Sequence, residues 1–313
     1  MARIRLAHFS DVHYTLGPFV NPRESLRGKR LASLFSYWLG GRRERFAESP
    51  ARIAALLQDV DAAKVDHAIC TGDLTAASLD EEFAGIAELF GARLQQPERF
   101  TVLPGNHDRY VANAVIERSF ERRFASLCPG AESGFPFAKT IAPGVRVVVI
   151  DAARPTSFVD ASGLCGGAQR AALRELLAAD TESVTLVAMH YGLLRWTGSP
   201  DRRLHQMRDW KAVLGELDAS PARIAVILHG HMHGAFTASS KRRTMVCAGS
   251  AIDLLVECGY FLYEIDLDSL AISIERRKWN RKAMRFDTID CHDFEVAVRE
   301  RRGARLRHQA LVT

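Results

Sequence analysis

Short apolar runs in this chain end, again and again, in a polar peptide built from Asp, His, Asn and Gly. Ile4 to Phe9 runs into Ser10-Asp11-Val12-His13, and Val65 to Cys70 into Thr71-Gly72-Asp73-Leu74. Phe100 to Leu103 is stopped by Pro104-Gly105 and followed by Asn106-His107-Asp108. Val184 to Met189 leads to His190, and Ile224 to Leu228 leads to Gly230-His231-Met232-His233. Apolar runs of this length read as buried strands. Strands that end at one edge bring their following loops together, so seven residues spread over more than two hundred positions can meet at one rim.

Amphipathic stretches separate the strands. Residues 48–64 place Ile53, Leu56, Leu57 and Val60 at helical spacing, and helices are also expected over 79–94, 110–127, 168–180 and 206–218. Val145 to Ile150 is a continuous apolar run of the kind found in strands buried on both faces. The texture then changes. Runs 244–248, 259–266 and 270–278 lack intervening helices and predict antiparallel strands. The expectation is an α/β domain over 1–290 with two packed sheets and helices outside, followed by a basic tail, 291–313. Two stretches break the alternation, 14–46 after the first loop and 191–209 after His190. Long excursions of this kind often cap a site.

With 313 residues, 47% hydrophobic and 25% charged, the chain can bury a large core. Its formal charge of +5 favours anionic partners such as phosphate esters, acidic lipid surfaces or nucleic acid. The six cysteines, Cys70, Cys128, Cys165, Cys247, Cys258 and Cys291, show no CxxC spacing and are expected to be reduced. The sequence lacks a signal-like h-region and an apolar run long enough to span a bilayer. A cytoplasmic protein is expected, with peripheral contact at the inner membrane face as an extension.

In extended chain, residues i and i+2 share a side, so Asp11 and His13 can approach one ion, as can His231 and His233. Gly105 and Gly230 are expected to permit tight turns beside their ligands. Mixed Asp, His and Asn donors suit divalent Mn, Fe, Zn or Co rather than a closed thiolate site. Only Asp11 and Asp73 are anionic. Two divalent ions therefore leave a positive site, which attracts a phosphodiester; an Asp in place of Asn106 would weaken that attraction.

The ordered series DVH, GDL, GNHD, a lone His and GHMH, across residues 11–233, resembles the calcineurin-like metallophosphoesterase superfamily. The resemblance implies a four-layer α-β-β-α sandwich of two mixed sheets and a dinuclear centre. Carried over by position, it implies one ion on Asp11, His13, Asp73 and His233. A second falls on Asp73, Asn106, His190 and His231, with Asp73 bridging. Mn leads as the metal, with Fe, Zn or Co as alternatives. A bridging hydroxide would attack phosphorus, His107 would stabilise the transition state and protonate the leaving oxygen, and Asp108 would orient His107.

Other residues read as structural. His8 is expected in the core and His229 in a packing role, and Asp151 and Ser250 as turn or cap residues. His205 lies in the second cap candidate and could touch substrate, while His67 and His292 carry no assignment. Within 14–46, Leu31, Leu34, Phe35, Trp38 and Leu39 fall on one helical face, flanked by Lys29, Arg30, Arg42, Arg43 and Arg45. Such a helix can pack on the body, grip an acyl chain, or lie on an anionic membrane through 29–45.

Bacterial UDP-diacylglucosamine hydrolases of this superfamily carry an apolar insertion over their metals and cleave a pyrophosphate in lipid A synthesis; the insertion here is similar in character. The expected activity is hydrolysis of a phosphodiester or pyrophosphate with an apolar part. A soluble cyclic-nucleotide phosphodiesterase is the alternative. A nuclease is a weaker reading, because nuclease relatives add a DNA-binding domain and 313 residues leave little room for one.

Overall fold

The computed structural model describes residues 3–17, 20–31, 41–46, 48–240, 242–256, 258–269 and 271–295. Two six-stranded sheets organise them. The first sheet runs, in spatial order, β12 (Arg285–Glu295), β11 (Ala271–Asn280), β10 (Gly259–Asp266), β1 (Arg3–Phe9), β2 (His67–Cys70) and β3 (Phe100–Val102). Here β1, β2 and β3 are parallel, and β10 to β12 are antiparallel. The second sheet runs β4 (Phe137–Ala142), β5 (Val145–Ile150), β6 (Val184–Met189), β7 (Arg223–His229), β9 (Thr244–Cys247) and β8 (Phe236–Ser239). Its middle strands β5, β6, β7 and β9 are mutually parallel.

The pleat sorts side chains into layers. On β5, Val147 and Val149 join Ile4, Leu6 and Phe9 in the core between the sheets. Val148 and Ile150 point outward, onto Leu173 and Leu177 of helix Gly167–Ala178 and Val213 and Leu217 of helix Trp210–Ala219. Successive residues serve opposite faces, which is why the run is apolar throughout. Helix Ser49–Ala62 begins with Pro50 in its first turn and ends where Lys64 takes a left-handed φ of 53°. It buries Ile53, Leu56, Leu57 and Val60, the face its spacing predicts. Burial of each contributes about 1.5–3 kcal/mol. Helix Asp80–Phe90 buries Phe83, Ile86 and Phe90 in the same way. The result is the expected α-β-β-α sandwich.

Several boundaries differ from expectation. The segment 110–127 is not one helix but two short ones, Ala112–Ile116 and Glu121–Phe124, broken where Arg118 adopts φ 53°. Strand β9 pairs antiparallel with β8 but parallel with β7, because the β8–β9 hairpin folds back beside β7. Strand β12 runs to Glu295, past the expected domain end at 290. The tail 296–313 and the apolar face formed by Leu34, Phe35, Trp38 and Leu39 lie outside the described residues. Among the described residues no helix is long and apolar enough to cross a membrane. Cys70, Cys128, Cys165, Cys247 and Cys258 are buried free thiols, while the side chain of Cys291 lies outside the described set.

Candidate metal centre

The loops leaving the carboxyl ends of β1, β2, β3, β6 and β7 meet at one rim. Two abutting clusters form there. In the first, His13 Nε2 lies 3.0 Å from His233 Nε2. Asp11 Oδ1 stands 3.8 Å from His13 Nε2 and 3.6 Å from His233 Nε2. Asp73 Oδ2 is 3.7 Å from His13 Nε2. In the second, the same Asp73 Oδ2 is 3.4 Å from His190 Nε2. Asn106 Oδ1 lies 3.0 Å from His190 Nε2 and 2.8 Å from His231 Nδ1. The structure thus brings together all seven residues singled out in the sequence, with Asp73 between the clusters.

The imidazoles are oriented from behind. His190 Nδ1 donates to the carbonyl of Thr71 at 2.8 Å, and His231 Nε2 to the carbonyl of His205 at 2.7 Å. A carbonyl only accepts, so each ring turns its other nitrogen into the cluster. His233 Nδ1 faces Asp253 Oδ2 at 3.0 Å, leaving Nε2 toward His13.

The donor set fits metal ions. His233 and His13 nitrogens at 3.0 Å need a proton or a cation between them. Asp11 Oδ1 is fully buried with no hydrogen-bond partner among the described residues, an orphan that costs free energy unless a cation answers it. Donors about 2.1 Å from a shared ion stand about 3.0–3.4 Å apart at adjacent positions, close to the separations seen. The clusters Asp11–His13–His233 and Asp73–His190–His231 could each hold an ion, and His13–Asp73–His107 forms a third grouping between them. Charge is shared accordingly. Burial opposes a charge on His190, but the Asp73 and Asp11 carboxylates and the Thr71 carbonyl together outweigh it and raise the imidazole to about 9. Burial works against the Asp73 anion too, yet His190 and His107 hold its carboxyl well below the ordinary range. Burial pushes Asp11 up.

The local backbone departs from expectation. Asp11 (φ 51°), His13 (37°), Asp73 (54°), His231 (71°) and His233 (57°) are all left-handed. The i, i+2 pairs therefore converge through left-handed turns, not along an extended strand. Non-glycine residues pay for that region, and such strain collects at functional sites. Gly105 and Gly230 are not left-handed. A Cβ on Gly105 would strike the Asp73 carboxylate, and one on Gly230 would strike Ser10 and Asp11. Close approach, not a turn, is what these glycines supply.

His107 sits beside the clusters, half-buried. Its N–H donates to Asp73 Oδ1 at 2.7 Å, and its ring stands edge-on to His13 with centroids 4.7 Å apart. The expectation that Asp108 orients its ring is corrected. Asp108 instead accepts from the amides of Leu74 (3.0 Å), Thr75 (2.9 Å) and Gly105 (2.9 Å). Burial, with the like charge of Asp73, pushes Asp108 up to about 7 against those three donors. It ties the β2 and β3 loops together. The His107 ring is held by the Ala76 carbonyl, and it stacks on Tyr110 with centroids 5.1 Å apart.

The remaining histidines fall as follows. His8 is buried, bonded to Tyr263 and Thr71 at 3.0 Å each, and burial lowers it to about 3. His229 is buried against Phe236 and lowered by burial to about 4. His205 contributes its carbonyl to His231, while its exposed side chain lies outside the ligand clusters. The side chain of His292 lies outside the described set. Ser250 caps the Asp253 amide and donates to the Asp11 carbonyl at 2.7 Å. Asp151 caps Ala153 but also pairs with Arg109 at 3.0 Å, beside Glu121 at 2.9 Å.

Sequence reasoning missed Asp253, and it read Arg45 as a cation flanking the insertion helix, not as a residue of the site. Asp253 bonds His233, and Arg45, from the 14–46 insertion, closes on the Asp253 carboxylate. The available signal was an acid following a strand, here β9, at the same edge as the other ligands.

The chain belongs to the calcineurin-like phosphoesterase family, whose model matches residues 4–235. Membership is consistent with metal-dependent phosphoester hydrolysis. A search of curated proteins found no match. Solved structures of similar fold include PhoD, at TM-score 0.61 and 10% identity over 95% of this chain and 70% of that one. GAP50, the anchor in the inner membrane complex of Plasmodium, aligns at TM-score 0.56 and 10% identity, covering 95% and 90%. Purple acid phosphatase PPD1 from yellow lupin (Lupinus luteus) seeds aligns at 0.56 and 11%, covering 93% and 53%. At these identities the likeness is one of fold.

Proposed function

We propose that this protein is a two-metal phosphoesterase that hydrolyses a phosphodiester or pyrophosphate bearing an apolar part. The observation that carries the reading is the shared Asp73 Oδ2, 3.7 Å from His13 Nε2 and 3.4 Å from His190 Nε2. Asp11, His13, Asp73 and His233 would hold one divalent ion, and Asp73, Asn106, His190 and His231 the other, with Mn the first choice. Bound ions would supply a Lewis acid for phosphoryl oxygens and acidify the attacking water.

The chain's own groups do the rest. His107 keeps its Nδ1 proton on the Ala76 carbonyl, which leaves Nε2 to face a phosphoryl or leaving oxygen. Protonated there, it stabilises developing charge and then donates its proton to the departing oxygen. Asp108 fixes the loop that carries it.

An apolar substrate part is supported by large exposed side chains on the flanking segments: Leu16, Leu26 and Leu31 on one, Phe158 and Val159 on another, Trp196 and Leu204 on a third. A lipid-linked nucleotide such as UDP-diacylglucosamine, met at a membrane surface, fits that rim. A soluble cyclic-nucleotide phosphodiesterase is the second reading. It is favoured by the polar anchoring of the insertion, where Arg30 donates to the Ala77 and Ser78 carbonyls.

The test is hydrolysis by Mn-loaded protein of bis(4-nitrophenyl) phosphate, of UDP-diacylglucosamine with and without its acyl chains, and of cyclic AMP. Turnover that stops when metal is chelated is the expected result. Equal rates with and without acyl chains would remove the lipid argument, and cyclic AMP as the better substrate would install the second reading. No metal-dependent turnover of any would overturn the proposal.

A further inference from the structure

Beside the ligand clusters lies a cleft of about 490 Å³, walled by residues 24–30 of the insertion, by 110–113, and by the 155–158 loop. Three cations line it, and they are not equivalent. Arg27 and Arg30 both pair with Glu24, at 3.3 Å and 2.6 Å. Lys29 has only neutral oxygens: its Nζ donates to Thr156 Oγ1 at 2.8 Å and to the Asp160 carbonyl at 3.1 Å. The Asp160 carboxylate is taken by Arg208 at 2.6 Å. Two fixed acceptors hold the ammonium in one place, half-buried, and among the described residues no carboxylate pairs with it directly. An anion entering the cleft would supply the direct charged partner that this positioned ammonium lacks.

The position of this charge links it to the chemistry. Lys29 Nζ lies 4.6 Å from the centroid of the Tyr110 ring. Tyr110 stacks on His107 at 11° between planes. The cleft, Tyr110, His107 and the clusters are thus contiguous. Burial weighs against the Lys29 charge, while the Asp160 carboxylate and, less strongly, the Asp73 carboxylate at the clusters favour it.

We infer that this cleft receives the part of the substrate beyond the scissile phosphate, and that Lys29 selects substrates carrying a second anionic group there, as a pyrophosphate diester does. The inference rests on the phosphoesterase reading above and narrows it. Lys29 is a specificity-determining residue: it binds the second anion and takes no proton from the reaction. Arg27 and Arg30, already paired, serve the fold of the insertion.

The test compares the Mn-loaded protein with Lys29→Met and Lys29→Arg on two probes. Bis(4-nitrophenyl) phosphate carries one anion, and ADP-ribose carries two in a pyrophosphate. In Lys29→Met, kcat/KM for ADP-ribose is expected to fall at least tenfold more than for bis(4-nitrophenyl) phosphate, mainly through KM. Lys29→Arg should recover most of the difference. A merely structural lysine would cost both probes alike, and equal losses, or none, would overturn the inference. Calorimetry with inorganic pyrophosphate at fixed free Mn²⁺ reads the cleft independently of turnover. Binding at least tenfold weaker in Lys29→Met supports the inference, and equal affinity overturns it, even where neither probe is hydrolysed and the phosphoesterase reading itself has failed.

Discussion

His107 Nδ1 lies 2.6 Å from the carbonyl oxygen of Ala76. The carbonyl cannot donate, so this contact fixes one tautomer and leaves Nε2 as the working nitrogen. Replacing His107 with Asn or Ala removes that nitrogen but none of the seven groups assigned to the metals. Turnover of bis(4-nitrophenyl) phosphate should fall by roughly 10²–10⁴-fold, the range for lost acid–base catalysis. Metal content, measured by elemental analysis, should be retained. Unchanged turnover would remove the role given to His107.

Asp253 supports His233 from behind, at 3.0 Å from Nδ1, and is itself gripped by Arg45. A carboxylate behind a ligand imidazole fixes its orientation and raises its basicity, and its loss typically costs about 10–100-fold in metal affinity. Asp253→Asn keeps the shape and removes the charge. Titration against a competing chelator should show weaker binding at one of two sites. Identical affinities at both sites would mean that Asp253 serves only to anchor the insertion through Arg45.

The two kinds of residue differ in how legible they were. Asp11, Asp73 and His190 each follow a strand that is mostly apolar and buried, so local pattern alone placed them at a strand end. Asp253 follows β9, whose neighbour β7 pairs with it from residues 223–229. That an acid follows β9 is a local signal, but that β9 ends at the ligand edge is not, and the same non-local pairing hid the parallel direction of β9. Short strands such as β4 and β8 expose alternate residues and so lacked a continuous apolar signal. The left-handed turns at Asp11 and His13 were invisible for another reason. Glycine announces that conformation, whereas Asp and His adopt it only when surrounding contacts hold them there. Those contacts are long-range: His13 donates its amide to the Asp73 carbonyl at 2.9 Å.

Acid should unfold the protein partly through His67. Its Nδ1 donates to the Glu98 carbonyl and its Nε2 accepts from Thr101, each at 2.8 Å, and Lys139 donates to the same Thr101 oxygen. Only a neutral imidazole fits, and burial lowers it from 6.5 to about 3. The unfolded chain therefore takes up the proton first. Stability from neutral His67 is complete above pH 6.5 and is lost as pH falls from there toward 3. At pH 5 the loss is about 2 kcal/mol for this one group. Denaturant titrations of chelated protein at pH 7.5 and 5 should show it, and chelation excludes metal release as the cause. In His67→Gln the slope should shrink, with the buried His8 and His229 among the groups that supply what remains. An undiminished slope would move the acid sensitivity elsewhere.

Gly105 offers a test of whether space or conformation governs the site. Its φ lies outside the left-handed region, so alanine there carries no backbone penalty and would restrict the unfolded chain, a gain of about 0.4–1 kcal/mol where room exists. Room does not exist: the new Cβ would meet the side chain and the amide of Asp73. Gly144 is the converse case, with φ 72° and nothing within 4 Å of an added Cβ. Gly144→Ala should cost about 1–2 kcal/mol of stability, from the left-handed backbone alone, and leave metal content and turnover intact. Gly105→Ala should displace Asp73, the residue shared by both clusters, and lose metal from both together. Paired measurements of thermal midpoint and metal stoichiometry separate the two. A Gly105→Ala protein that still binds two equivalents of metal would show that the Asp73 loop can yield, and that the close approach of Gly105 is not what holds the two clusters together.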